Sequence, residues 1–486
     1  MESVAASIAL PRPRFGAASV HPATVLAWVL SSAAAAAFVA LALVRYTSFN
    51  STAFDLGFFD QVVWQISHGH PGVTSYLYYY DFFGQHLEPV LYAYGAFYRL
   101  WADPRLLLVS QGLALGAAGV ILFACCRQVT RPWPSLSVTM AFLLAVPLHN
   151  ALAFDFHPEA LSALPVFGGL WLALRRHPWA AVACWGSLIL LKEDESLVLP
   201  ALGLLLLLLR DGGDGRSAGG LVRRAAPSLV LALGGLVWGV VAIGVVEPHW
   251  RHGYPGDLTR DYAAFGGGVG AALSTIIQHP RVVTVIALGD GGLAALWDWI
   301  GGTGFTALLA PLGLVAAAPA LLLQLGSARP PQHLLRLHYG IEAVPLIFVY
   351  LVLELQWLRS HSAVRDALAH AAGGLAVLGF ILASPYASLS PPAQTSAEHV
   401  EAIQGAIRLV PANETLRADS TLAAHLSQRE RIQEFPGSDW ADFVALDGHA
   451  YHPAPLRESY EAAVRALPGQ GYVEIYNREG VQVWRR

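Results

Sequence analysis

Charge is what this sequence has least of. Only 13% of its 486 residues are charged, against about a quarter in ordinary soluble domains, which excludes a soluble globular protein. Lysine is almost missing: of 30 Lys+Arg only Lys192 is a lysine, an arginine bias of the kind a GC-rich genome produces. The net charge of −4 says little, because the charges are segregated. No basic stripe with interleaved aromatics occurs, so nucleic acid is not an expected partner. The three cysteines, Cys125, Cys126 and Cys184, all lie in or at the end of apolar runs. That excludes a disulfide framework and a cysteine-based metal site. A strand–GxGxxG–helix unit, a P-loop and a solenoid repeat are also missing.

What is there is apolar. Hydrophobic residues make up 55% of the chain, mean hydropathy is +0.47, and runs of about 20 apolar residues, enough to span a bilayer, recur. The expected fold class is a polytopic α-helical membrane protein. Eleven spans are predicted, near 24–45, 105–126, 134–152, 159–175, 178–192, 196–209, 227–246, 282–300, 303–325, 340–357 and 366–386. The first run, 25–43, follows Arg12 and Arg14 and is too long for a signal-peptide core of about 7–15 residues, so an uncleaved span is expected. Arginine-rich loops stay cytoplasmic. Arg12 and Arg14, Arg127 and Arg131, Arg175 and Arg176, Arg210 through Arg224, and Arg359 and Arg365 therefore mark the inner face. The N-terminal tail, 1–23, is expected inside, the membrane domain at 24–387, and a C-terminal domain at 388–486 outside.

In that C-terminal region the apolar runs shorten to strand length, at 415–417, 442–446, 472–476 and 481–484. Helical patterns fit 397–409 and 456–467, and 477–480 reads as a hairpin turn. A small extracytoplasmic α/β domain is expected. The first outer loop, 46–104, is dense in Tyr and Trp, which suits helices lying in the lipid–water interface, 87–101 among them.

Clusters of Asp, Glu and His recur in six segments predicted on one face: TSFNSTAFDLGFFDQ, GQHLEP, FDFHPEA, KEDES, PHWRHGYPGD and LRLHYG. Ionisable groups at membrane depth are costly and mark function. Asp55 and Asp60 sit among four phenylalanines just after the first span. A carboxylate there can act as a general base on a hydroxyl at the membrane surface, or bind a metal; as a bland alternative, Ser51, Thr52 and Asp55 all have helix-capping chemistry. His86 and Glu88, with Asp155, His157 and Glu159, are candidate ligands for a divalent Mg, Mn or Zn ion, the alternative being hydrogen-bonded loop ends. In KEDES, Lys192, Glu193 and Asp194 stand between two short apolar runs, a pattern of broken helices around a site or of a solvated turn. Lys192 offers a compact charge to a phosphate. His249, Arg251, His252 and Arg260, with Arg336, His338 and Tyr339, offer forks and proton donors to an anionic head group, or else anchor the chain at the interface.

FDLGFFDQ, GQHLEP, DFHPEA, KEDES, LHYG and the later AAHLSQRERIQEFP…DFVALD, in this order over roughly 45–450, resemble a bacterial family of predicted membrane proteins, domain of unknown function two-zero-seven-nine. That family is in turn similar to the C-type (GT-C) glycosyltransferases, multipass enzymes that use polyprenyl-phosphate sugars. The resemblance implies a GT-C-like fold and transfer of a sugar from a polyprenyl-phosphate donor. The acceptor would be a cell-envelope glycan, lipid or protein on the outer face. It also implies that Asp55, or else Asp60, is the catalytic carboxylate. Two rival readings remain: a transporter or flippase, whose site would lie near the bilayer midplane, and a non-catalytic scaffold whose outer domain binds a partner.

Overall fold

The computed structural model describes residues 20–77, 81–209, 218–256, 260–266, 269–385, 396–437, 441–450 and 454–486. Arg12, Arg14, Arg210, Arg216, Tyr78 to Tyr80 and the expected domain boundary near 388 lie outside the described residues.

Among the described residues, four helices are long and apolar enough to cross a membrane. They are α1 (Pro22–Thr47), α4 (Arg105–Cys126), α10 (Val222–Trp250) and α16 (Ser362–Ala383). The number rises to six if two bent pairs each count as one span. Between α1 and α4 lie the short helices α2 (Phe58–Ser67) and α3 (Val90–Tyr98). One bent pair is α5 (Pro132–Leu143) with α6 (Val146–Leu152), kinked by 42°, where Pro147 withholds a backbone donor. Then come α7 (Ala163–Leu174), α8 (Pro178–Gly186) and α9 (Leu199–Leu208), each 12 residues or fewer.

The structure is more broken than eleven regular spans. The expected helix at 282–300 stops at Gly289 and restarts at Gly292, giving α12 (Pro280–Leu288, after α11, Val269–Gln278) and α13 (Gly292–Gly302). Asp290 and Gly291 have positive φ there, a conformation glycine adopts without strain. The run at 303–325 is likewise cut before Pro311, which opens α14 (Pro311–Leu325). Helix α15 (Val344–Trp357) is buried almost all round.

Helices α1 and α4 meet through glycines on α4. A Cβ at Gly116 would stand 2.4 Å from Ala35 Cβ and 2.8 Å from Ser31 O, and one at Gly112 would stand 2.8 Å from Val39 Cγ2. Small residues four apart let apolar helices approach closely where lipid gives no hydrophobic drive. Gly116→Val is expected to lower stability by about 1–3 kcal/mol through overpacking. Gly234→Ala, which meets nothing within 4 Å, should stay near neutral. Thermal unfolding in detergent compares the two.

The C-terminal sheet has the order β2-β1-β3-β5-β4. β1 (Leu416–Ala418) pairs in parallel with β2 (Ile432–Glu434) and β3 (Phe443–Asp447), and β5 (Val481–Arg485) runs antiparallel to β3 and β4 (Val473–Arg478). Helices α17 (Ala397–Leu409) and α19 (Ala454–Ala466) match the expected helical patterns. Glu479 and Gly480 carry the positive φ of the hairpin turn. Strand β2 and helix α18 (Ser420–Leu426) were not anticipated: β2 is three residues inside the polar run QRERIQEF.

The 51–104 segment packs beneath this domain and does not simply lie at a surface. Ala53, Leu56, Phe58 and Val62 share one core with Leu422, Ala423, Ile432 and Phe443. Ala53 N donates to Ser420 Oγ (3.1 Å), Gln61 Nε2 to Arg429 O (3.0 Å) and Ser75 Oγ to Ile432 O (2.7 Å).

Candidate functional site

A cavity of about 510 Å³ collects most of the candidate residues: Asp55, His86, Glu88, His157, Glu159, Lys192, Glu193, Asp194, Arg251, His338 and Tyr339. They come from six segments separated in sequence. Ile243 of α10 and Leu323 of α14 also line it, with Phe54 and Phe58, so the polar pocket continues onto apolar helices. A larger cavity of about 760 Å³ is lined by Val146, Trp297 and Phe305 and has few titratable groups; Arg336 lines that one and not the polar pocket.

At one wall stands Asp55, in the turn Ala53–Gly57. His157 Nε2 lies 2.8 Å from Asp55 Oδ2. The His157 and His338 rings stack at 3.6 Å between centroids, and Phe154 lies nearly parallel to both. Gln111 of α4 fixes the His157 segment: it accepts from His157 N (2.8 Å) and donates to Asp155 O (3.2 Å). Burial would raise the Asp55 carboxyl, but the charge and hydrogen bond of His157, with His338 beyond, hold it below the usual carboxylate range. One ligand atom each from Asp55, His157 and His338 falls within 4.8 Å of the others. The ring nitrogens His157 Nδ1 and His338 Nδ1 are buried without a hydrogen-bond partner. Two imidazoles and a carboxylate suit a borderline divalent ion, so these residues fit a metal.

The expected ligands His86, Glu88, Asp155 and Glu159 are arranged otherwise. His86 Nδ1 lies 2.9 Å from Glu193 Oε1, while Leu87 N donates to Glu193 Oε2 (2.9 Å). Lys192 Nζ bridges Glu159 Oε1 (2.6 Å) and Asp194 Oδ2 (3.2 Å). Lys192, Glu159 and Glu193 are buried, so KEDES is the packed floor of the pocket and not a solvated turn. Burial, reinforced by Glu159, pushes the Glu88 carboxyl well up. Burial raises Asp194 too, although Lys192 opposes it. Asp155 turns away: it pairs with Arg45 (3.3 Å) and accepts from Thr52 N and Oγ1 (both 3.0 Å), which ties α1 to the Asp55 turn.

Asp60 and His252 also lie outside the cavity. His252 is exposed and reaches Asp81 (3.3 Å). Asp60 is buried at the joint with the C-terminal domain, accepting from Ser427 Oγ (2.5 Å), Tyr98 OH (2.7 Å) and Gln428 Nε2 (3.0 Å). Burial raises its carboxyl to about 6, against those three hydrogen bonds, which favour the ionised form. An unfolded Asp titrates near 4, so the folded chain binds this proton more tightly. The resulting stabilisation is full below about pH 4 and is lost as pH rises through about 6. Asp60→Asn should remove that part of the pH dependence. Unfolding midpoints of both proteins between pH 4 and 7 check it, and parallel curves would contradict it.

Sequence reasoning missed Arg329, Asp261, Tyr262 and Gln332, all on the cavity wall. Arg329 Nε lies 2.6 Å from Asp261 Oδ2, and Arg260 Nε 2.7 Å from Asp261 Oδ1. Gln332 Nε2 donates to Tyr262 OH (2.9 Å). The available signal was the charge of RDY and of ARPPQ beside the segments already chosen. Arg251 Nε donates to Gly84 O (2.6 Å), and its guanidinium pairs with Glu247.

Long apolar helices, broken helices around a buried polar pocket and a small mixed sheet define a polytopic membrane protein. The chain belongs to the family described as predicted membrane protein (DUF2079), which matches residues 45–453. Curated proteins give no sequence match. Among solved structures the chain is similar to ArnT from Cupriavidus metallidurans bound to undecaprenyl phosphate, at 12% identity, TM-score 0.46, covering 94% of this chain and 97% of that one. It is also similar to the Archaeoglobus fulgidus oligosaccharyltransferase complex with Zn and sulfate, at 11% identity, TM-score 0.44, covering 87% and 68%.

Proposed function

We infer that the protein is a membrane glycosyltransferase-like enzyme that takes a sugar from a polyprenyl-phosphate donor and gives it to a cell-envelope acceptor at the outer face. The observation that carries this reading is the composition of one pocket. It joins a carboxylate positioned by a histidine, arginines on the facing segments, and an apolar edge on α10 and α14. A lipid-borne anion and a watery hydroxyl would meet there.

The acceptor oxygen attacks the anomeric carbon of the sugar as the bond from that carbon to the phosphate oxygen breaks. The bonding pair leaves with the polyprenyl phosphate, and the acceptor proton passes to Asp55. His157 orients Asp55 by its 2.8 Å contact. Arg260 and Arg329, held side by side by Asp261, and Arg251 offset the charge left on the phosphate. Lys192 is matched by Glu159 and Asp194, which makes it a positioning residue for the pocket floor. A divalent ion held by Asp55, His157 and His338 would supply Lewis-acid stabilisation of the departing phosphate. Asp60 ties the first outer loop to the C-terminal domain, 388–486, through Ser427 and Gln428, and that domain contributes to acceptor binding.

Purified protein incubated with a panel of radiolabelled polyprenyl-phosphate sugars tests the reading. Release of polyprenyl phosphate in step with sugar transfer, sensitive to chelator, supports it. Donor binding without cleavage across the panel removes it.

A further inference from the structure

The C-terminal domain holds a second cluster of ligand-type side chains, far in sequence from the pocket. It consists of His399 in the first turn of α17, Asp447 at the end of β3, and His449 two residues on. One ligand atom from each falls within 4.8 Å of the others. His399 and Asp447 are buried, whereas His449 is exposed.

The hydrogen bonds of His399 fix its tautomer. Its Nδ1 lies 3.1 Å from the carbonyl oxygen of Glu479, which can only accept, so Nδ1 carries the proton. The other nitrogen, Nε2, stands 3.2 Å from both carboxylate oxygens of Asp447. With Nδ1 protonated, Nε2 faces an acceptor-only group, so a second proton or a metal cation lies between them. A backbone carbonyl receiving the N–H of one imidazole nitrogen while the other faces a carboxylate is the arrangement that orients metal-bound histidines. A proton on Nε2 would satisfy His399 and Asp447 alone. It would not account for the His449 ring, whose centroid lies 4.4 Å from that of His399. Asp447 is itself held, its Oδ1 accepting from His449 N at 2.9 Å.

We propose that His399, Asp447 and His449 form a divalent transition-metal site of the zinc class. Two imidazoles, one carboxylate and a solvent-facing fourth position match its ligand preferences. The ion fastens α17, the first described helix after the membrane domain, to the β3 end and the β4–β5 turn. The site is independent of the sugar-transfer reading, since none of its residues lines the polar pocket.

Full-length protein in detergent is equilibrated with micromolar zinc chloride, freed of excess, and assayed for metal content and unfolding temperature. His449→Ala, at an exposed position, is expected to hold one zinc equivalent fewer than wild type and to show a smaller zinc-dependent rise in unfolding temperature. His449→Cys, which supplies another zinc ligand, should restore both. Equal zinc content and equal temperature shifts in wild type and His449→Ala would overturn the proposal. So would a zinc-dependent temperature shift as large in His399→Gln as in wild type.

Discussion

Lys192→Met is expected to be the most damaging single change to stability, at about 3–5 kcal/mol, because removing one partner of a buried ion pair strands the other charge. Here two are stranded. Lys192 Nζ bridges Glu159 and Asp194, which lie in the pocket floor, and the second oxygens Glu159 Oε2 and Asp194 Oδ1 have no protein hydrogen-bond partner to absorb the loss. Two accompanying results follow. Lys192→Met/Glu159→Gln should recover part of the loss, since the double change removes one stranded carboxylate, and the excess over additivity measures the coupling. The deficit of Lys192→Met should also shrink as pH falls, because stranded carboxyls take up protons and become neutral. Tryptophan fluorescence during thermal unfolding in detergent reads all three. A loss under about 1 kcal/mol, the range of exposed ion pairs, would show that water reaches this network.

Asp55→Asn is expected to lower kcat for sugar transfer by about 10²- to 10⁴-fold, the usual contribution of a positioned acid or base. The asparagine oxygen can still accept from His157, so the unfolding temperature should change little. Donor affinity should also hold, because the arginines and the apolar edge bind the lipid-borne anion. His157→Gln should act in the same direction but more weakly, since it disturbs the orientation of Asp55 and leaves the carboxylate in place. Loss of donor binding together with kcat would instead mark Asp55 as a binding or packing residue.

The sequence announced its pocket through charge. In a chain this apolar, six segments rich in His, Asp or Glu stood out, and residues from all six line one cavity. What it could not announce was pairing. His157 is 102 residues from its partner Asp55, and Lys192 is 33 from Glu159; only the packing of broken helices sets those distances. Asp55 and Asp60 read as twins five residues apart. Yet the turn Ala53–Gly57 leaves one at the pocket while α2 carries the other under the C-terminal domain, where Ser427 and Gln428 meet it. The strands of the small domain were legible because their apolar runs are short and flanked by turn residues. Strand β2 was not, since its pattern is three residues in a charged stretch. Helix breaks were hidden for a related reason: hydropathy sees an apolar run, but Gly289–Gly292 and Pro311 divide such runs into separate helices.

Sugar transfer and lipid transport separate in wild-type protein reconstituted in proteoliposomes with a polyprenyl-phosphate sugar labelled in the sugar, and a mixture of cell-envelope acceptors on the outside. Label is expected to leave the lipid and appear on an acceptor, with one polyprenyl phosphate formed for each sugar moved. Label that crosses the membrane still joined to its lipid would contradict sugar transfer and make the protein a flippase.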